Sequence, residues 1–183
     1  MRILALSLAL VATAALSATP DPSDTGPLRP VLSCALEDGS RVTLEARSHG
    51  LDGDSLFVQV GGKTERAFLD MPRTDFVGHL ALSKCVGKTL IFALNYGPPY
   101  LKGVAIRQNP QTHGDERIYF AEKALPRWLY PGRKEMLVII PNIGDETDRK
   151  YLVYRFVAGK GQPEESTPAD QLPVAQRDLI RIE

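Results

Sequence analysis

The chain has 183 residues, with 22 basic and 22 acidic side chains and a formal net charge of zero. This balance argues against nucleic acid or an anionic membrane surface as the main partner, because both favour a basic excess. Hydrophobic residues make up 43% of the sequence. A chain of this length and composition is expected to form one domain with its own core.

The first 18 residues have the pattern of a secretory signal peptide. Arg2 supplies a positive charge, Ile3–Leu16 is almost entirely apolar or small, and further small residues follow. The apolar run is shorter than the ~20 residues that a membrane-spanning helix needs. We therefore expect cleavage between Ala14 and Thr19, a periplasmic or secreted location, and no membrane span after cleavage. An uncleaved anchor helix is the alternative.

Cys34 and Cys85 are the two cysteines of the chain. In an exported protein, an even count of two most simply indicates one disulfide. Closing a loop of about 50 residues would stabilise the fold by about 4 kcal/mol on a chain-entropy basis. A redox-active or metal-binding pair is the alternative, but the sequence has neither a Cys-x-x-Cys spacing nor a nearby histidine cluster.

Short apolar runs separated by turn residues begin after the proline-rich stretch Thr19–Pro30. Val31–Leu36 and Arg41–Ala46 flank an Asp-Gly pair, which is typical of a tight hairpin turn. The second run alternates apolar and polar residues, as a strand with one buried face does. Further strands are predicted at Leu56–Val60, Thr64–Leu69, Leu90–Leu94, Val104–Ile106, Arg117–Ala121, Met136–Ile140 and Tyr151–Val157, and Phe76–Leu82 fits a strand or a helical turn.

Eight or nine short strands at close spacing predict an all-β fold, either an antiparallel β-sandwich or a small β-barrel. We assign residues 1–18 to the signal peptide, 19–30 to a linker, and 31–158 to a single β domain. The remaining residues, 159–183, have the polar composition of a flexible tail. Its last apolar residues, Leu179 to Ile182, would form a small edge strand or fray.

The stretch Thr89–Gln108 is expected to be the central hairpin, and its tip carries two tyrosines around Gly-Pro-Pro. Proline fixes φ and lacks an N–H, so this tip must be a turn or a short rigid loop. Lys123–Arg133 reads as a second aromatic segment, either a loop or one helical turn. Tyrosine and tryptophan dominate interface hot spots, and rigid loops lower the entropy cost of binding. The predicted partner-binding residues are Tyr96, Pro98, Pro99, Tyr100, Trp128 and Tyr130; the alternative is that these side chains cap the core.

Catalytic patterns are sparse. No Gly-x-Ser-x-Gly sequence occurs, and Gly61–Thr64 lacks the upstream glycine and the following helix of a phosphate-binding loop. His113 beside Asp115 or Glu116 is the arrangement that would suit a hydrolase. We predict no catalytic residue, no metal and no cofactor.

The sequence therefore favours an exported, non-enzymatic module that binds another envelope or secreted protein. An immunity protein or an inhibitor of an envelope-targeting toxin or hydrolase would have these features. Two alternatives remain open: a secreted hydrolase that uses His113, and a β domain that binds a glycan or small ligand by stacking on its aromatic residues.

Overall fold

The computed structural model describes residues 26–144 and 147–182 of the chain. The expected signal peptide and the linker residues up to 25 lie outside the described residues. Within them, all the strand pairs are antiparallel, and the helical content is confined to two short 3₁₀ turns, Gly50–Asp52 and Gln176–Asp178. The all-β, antiparallel prediction is confirmed. No helix in the described part of the chain is long and apolar enough to cross a membrane.

The strands form two sheets. The first contains β1 (Arg29–Ala35), β2 (Arg41–Ser48), β3 (Asp54–Val60), β4 (Lys63–Arg66), β5 (Val77–Val86), β6 (Thr89–Gly97), β7 (Tyr100–Gln108) and β8 (Asp115–Glu122). Its order is β1-β2-β3-β5-β6-β7-β8, with β4 paired to β3. The second contains β9 (Trp128–Tyr130), β10 (Glu135–Pro141), β11 (Tyr151–Val157), β12 (Thr167–Ala169) and β13 (Ile180–Arg181), in the order β12-β11-β10-β9-β13.

The first sheet folds over itself between β3 and β5. These strands share only two residue pairs, and the backbone approaches closely there: a Cβ atom at Gly53 would lie 2.2 Å from the Gly78 carbonyl oxygen. Two glycines therefore permit a bend that other residues would block. One core cluster joins β1–β3 to one face of β6 and β7, and a second joins their other face to β9–β11. The result is three packed layers, an arrangement consistent with a β-sandwich.

The middle layer explains the apolar run of the central hairpin. Leu90, Phe92 and Leu94 of β6 face β1–β3, whereas Ile91 and Ala93 face the second sheet, and all five are fully buried. A strand that is covered on both faces reads as a continuous hydrophobic run instead of an alternating one. The hairpin predicted at residues 89–108 is the pair β6–β7, joined at the predicted tip.

Several elements differ from the sequence-based expectation. The described residues contain thirteen strands, not eight or nine, and the aromatic segment at 123–133 contains a strand, β9, in place of a loop or helical turn. Residues 159–182 add β12 and β13 to the two edges of the second sheet. The reason is that the outer face of this sheet is apolar, and Leu172, Val174 and Leu179 pack against it.

The predicted disulfide is confirmed. Cys34 in β1 is bonded to Cys85 in β5, with their Cα atoms 5.6 Å apart and a sequence separation of 51. Cys34 is buried, but Cys85 is exposed. The bond therefore links the outermost strand of the first layer to the middle layer.

Removal of the disulfide should lower the free energy of unfolding by about 4 kcal/mol, because it restores the entropy of an open loop to the unfolded chain. We expect the Cys34→Ser, Cys85→Ser double variant and the reduced wild-type protein to unfold at the same, lower urea concentration. Reductant should leave the double variant unchanged. Identical urea midpoints for the oxidised and reduced wild-type protein would contradict this role.

The turn between β1 and β2 is fastened to the far end of β7. The Asp38 carboxylate accepts hydrogen bonds from the Ser40 backbone N–H at 2.8 Å and from Gln108 Nε2 at 3.1 Å, and Gln108 Oε1 accepts from the Asp38 N–H. The bonds from Ser40 and Gln108 lower the pKa of Asp38 from 3.8 to about 2. The charged form is thus favoured in the folded state.

Because this pKa is lowered on folding, the stabilisation is fully present above pH 3.8 and is lost as the pH falls through about 2. We expect the free energy of unfolding of Asp38→Asn to decline less than that of the wild type between these pH values. Gln108→Ala, which removes one of the donors, should lie between the two. Urea denaturation across this pH range measures the difference, and parallel pH profiles for all three proteins would refute it.

Candidate functional site

The tip of the β6–β7 hairpin exposes its two tyrosines. Tyr96 is 39% and Tyr100 is 42% exposed, and the Gly97 N–H donates to Asn95 Oδ1 at 3.3 Å across the turn. Pro98 and Pro99 lie between them and fix two consecutive φ angles. The Tyr96 ring is further held by Phe76, at a centroid distance of 5.0 Å and an interplanar angle of 82°. These contacts pre-order the tip.

The loop between β4 and β5 runs beside this tip. It is anchored by the Phe76–Tyr96 ring contact and by the ion pair of Asp70 with Lys102. The same loop carries two exposed hydrophobic side chains: Leu69 is 41% exposed and Met71 is 45% exposed. We call Leu69, Met71, Tyr96 and Tyr100 the tip surface. Of the seven large hydrophobic side chains exposed in the described residues, these four lie on two neighbouring segments.

Trp128 and Tyr130 occupy a different environment. Both are half-buried in β9, on the outer face of the second sheet, where the C-terminal residues pack over them. The Trp128 ring meets Tyr151 edge to face at 5.6 Å, and Gly132 lies directly against the Tyr130 ring. These contacts belong to the packing of the domain itself.

The two predicted aromatic groups lie at opposite ends of the central hairpin. Pro131, next to Tyr130, is within 4 Å of the position that a Cβ atom would take at Gly87, in the turn before β6. Tyr96 is at the other end of this nine-residue strand, roughly 30 Å away at ~3.3 Å per residue. The six predicted residues therefore do not form one surface, and a partner-binding role for each stays a prediction.

The hydrolase arrangement around His113 does not come together. Glu116 is buried, and its carboxylate accepts hydrogen bonds from Arg107 Nε and from Asn109 Nδ2, both at 2.7 Å. His113 lies exposed in the turn between β7 and β8, with φ of +55°, and Asp115 is also exposed. No hydrogen bond joins the His113 ring to either carboxylate in the described structure.

Glu116 instead belongs to a buried network that connects two layers. Arg107 Nη2 donates to the Gly132 carbonyl at 2.8 Å, and Asn109 Nδ2 donates to the Arg133 carbonyl at 3.1 Å. The side chains of Arg107 and Glu116 are each 3% exposed. Since both charges are out of water, the loss of either would leave the other uncompensated.

We expect Glu116→Ala to lower the free energy of unfolding by about 3–5 kcal/mol, because the Arg107 guanidinium would stay buried without its counter-ion. Arg29→Met is the matched control, since it removes the Arg29–Asp54 pair, in which the arginine side chain is 56% exposed. That change should cost less than about 1 kcal/mol. Urea denaturation of both variants measures the contrast, and equal losses would contradict it.

The structure reveals a Ser–His pair that sequence reasoning missed. Ser55 Oγ lies 2.7 Å from His49 Nε2, beside a cavity of about 410 Å³. A hydroxyl and an imidazole at this distance can exchange a proton. However, no described carboxylate contacts the other nitrogen of His49, and Ser55, the second residue of β3, is paired with both Arg47 and Val77. The bond closes the 3₁₀ turn at 50–52 onto β3.

A larger cavity of about 600 Å³ lies beside β8, the last strand of the first sheet. We call it the β8 cavity. Its lining comes from four places: the β4–β5 loop, the middle layer, strand β11 and the segment after it. The residues are Asp70, Lys102, Asp115, Arg117, Tyr119, Phe120, Ala121, Tyr154, Phe156, Gln162, Pro163 and Glu164.

Two tyrosines of the β8 cavity have raised pKa values. Burial raises the pKa of Tyr119. Burial also raises the pKa of Tyr154, and the hydrogen bond from its hydroxyl to Glu122 Oε1, at 2.6 Å, adds to the effect. Both phenols are therefore neutral near pH 7, and each presents an aromatic ring with a polar hydroxyl.

Comparison of the chain with protein-family models, curated proteins and solved structures gave no match. The fold and the two surfaces define an all-β, disulfide-linked antiparallel domain with a protruding aromatic tip and a polar aromatic cavity. The function must therefore be inferred from these two surfaces.

Proposed function

We propose that this chain is an exported domain that binds another protein of the cell envelope through the tip surface. The observation that carries the proposal is the exposure of Leu69, Met71, Tyr96 and Tyr100 on two neighbouring, well-anchored segments. Tyrosine buries a large area at a modest entropy cost, and methionine adapts to irregular surfaces. Anchoring by Phe76 reduces the ordering cost further.

The shape of the tip favours a protein partner over a small molecule. Small ligands bind in concave sites that cover most of their surface, whereas the tip is a turn at the end of a hairpin. A projecting turn fits a concave surface on another protein. Because enzyme active sites are concave, a toxic enzyme or a hydrolase of the envelope is the partner class that we infer, with this domain as its immunity protein or inhibitor.

Export is supported by two features. The first 18 residues have the composition of a signal peptide, and the Cys34–Cys85 bond is of a kind that persists in oxidising compartments. The two together support a periplasmic or secreted location. The partner would then be met in the same compartment.

The test is capture of partners from envelope extract with the mature protein, followed by titration of the purified partner. The Tyr96→Ala, Tyr100→Ala double variant should bind the partner at least about tenfold more weakly, as loss of two hot-spot side chains predicts. Leu51→Ala, Ile143→Ala is the matched control, because it removes exposed hydrophobic side chains of other segments, 98% and 66% exposed.

The control variant should bind as the wild type does, and stoichiometric wild-type protein should suppress the activity of the purified partner. Equal affinity of the tip variant and the wild type would remove the tip surface from the proposal. Binding without loss of the partner's activity would reject the inhibitor role.

A further inference from the structure

The walls of the β8 cavity are aromatic. Tyr119 on β8 and Tyr154 and Phe156 on β11 are half-buried, so part of each ring borders the cavity. Aromatic rings pack well against the C–H face of a sugar ring, since both are apolar and flat. Tyr119 packs against the core cluster shared with β1–β3, whereas Tyr154 and Phe156 pack against the cluster shared with the second sheet, so the rings border the cavity from different sides.

Both cations that line the cavity are paired with carboxylates. Arg117 Nη2 lies 2.6 Å from Glu65 Oε1, and Lys102 is paired with Asp70. The Lys102 side chain is 5% exposed and the Arg117 side chain 16%, so their positions are fixed by packing. Such pairs place a donor next to an acceptor, which matches adjacent hydroxyl groups, each of which can donate and accept.

A donor is left over in this arrangement. Arg117 Nη1 is buried and has no hydrogen-bond partner among the described residues. A buried polar atom of this kind calls for a ligand or an ordered water. Nη2 of the same guanidinium is held by Glu65, and the guanidinium also interacts with the Tyr119 hydroxyl, so Arg117 is fixed in the wall of the cavity.

The charges of the side chains that line the β8 cavity limit the class of ligand that can bind there. The side chains that line the cavity include two cations, Lys102 and Arg117, against three carboxylates, Asp70, Asp115 and Glu164. An anionic ligand would meet a net negative lining, and a cationic ligand would compete with the internal ion pairs. The volume of about 600 Å³ is within the ~300–1,000 Å³ of small-molecule sites.

We propose that the β8 cavity is a binding site for a neutral saccharide, which stacks on Tyr119 and Tyr154 and bonds through its hydroxyls to the ion-paired side chains. This site adjoins the tip surface, because Asp70 lies between Leu69 and Met71, but it uses other side chains and does not rest on the proposed protein partner. The Tyr96→Ala, Tyr100→Ala variant should therefore keep its saccharide affinity.

The test uses the mature, disulfide-linked protein with cellobiose and N,N′-diacetylchitobiose as probes, each up to about 20 mM, a range suited to weak sites. Amide resonances of Tyr119, Ala121 and Gln162 should shift on addition of at least one of them. Ala121 is exposed and lines the cavity, so Ala121→Trp fills it without breaking a described hydrogen bond. This variant should bind at least about tenfold more weakly.

Ala81→Trp is the matched control, because Ala81 is an exposed alanine of β5 that lines none of the described cavities. It should bind as the wild type does, and unchanged thermal midpoints show that both variants are folded. Three results would overturn the proposal: no shift with either disaccharide, binding that survives Ala121→Trp, or tighter binding of glucose 6-phosphate or glucosamine than of the neutral sugars.

Discussion

The burial of the β6–β7 hairpin on both faces is the constraint on which the rest of the structure depends. A strand pair without a solvent face needs two covering layers, and these layers come from different parts of the chain. The first comes from β1–β4, after the bend at Gly53 and Gly78; the second comes from the strands that follow β8. The disulfide and the Arg107–Glu116 network each fasten one of these layers to the middle one.

Because its flanks are covered, the central hairpin reaches the surface chiefly at its ends. The end near Gly87 is covered by Pro131 and Ile180, whereas the end at 96–100 projects beside the β4–β5 loop. The edge of the same layer, at β8, borders the cavity. Both candidate surfaces therefore arise from the way in which the other two layers enclose the middle one. Neither surface requires a further domain.

Much of the fold could be predicted from local signals. The Asp38–Gly39 turn and the apolar run of β6 each carry a short-range physical reason, and the disulfide followed from the count of two cysteines. The short strands β9, β12 and β13 could not be predicted, since two or three residues have no periodicity and pair only because a neighbouring strand is present. The β8 cavity could not be predicted either, because its ion pairs join residues that are far apart in sequence. Lys102 and Asp70 are separated by 32 positions, and Arg117 and Glu65 by 52.

The side chain of Gln162 pairs with the backbone of an edge strand, which bears on the association of the protein with other chains. Its side-chain amide accepts from the Tyr119 N–H at 2.8 Å and donates to the Tyr119 carbonyl at 2.7 Å. Gln162 thus forms with Tyr119 the two hydrogen bonds that a neighbouring strand would form, at an outer edge of the first sheet. Unpaired backbone groups at such an edge can pair with another chain. Because Gln162 also lines the cavity, the same side chain shapes this pocket and covers part of an open sheet edge.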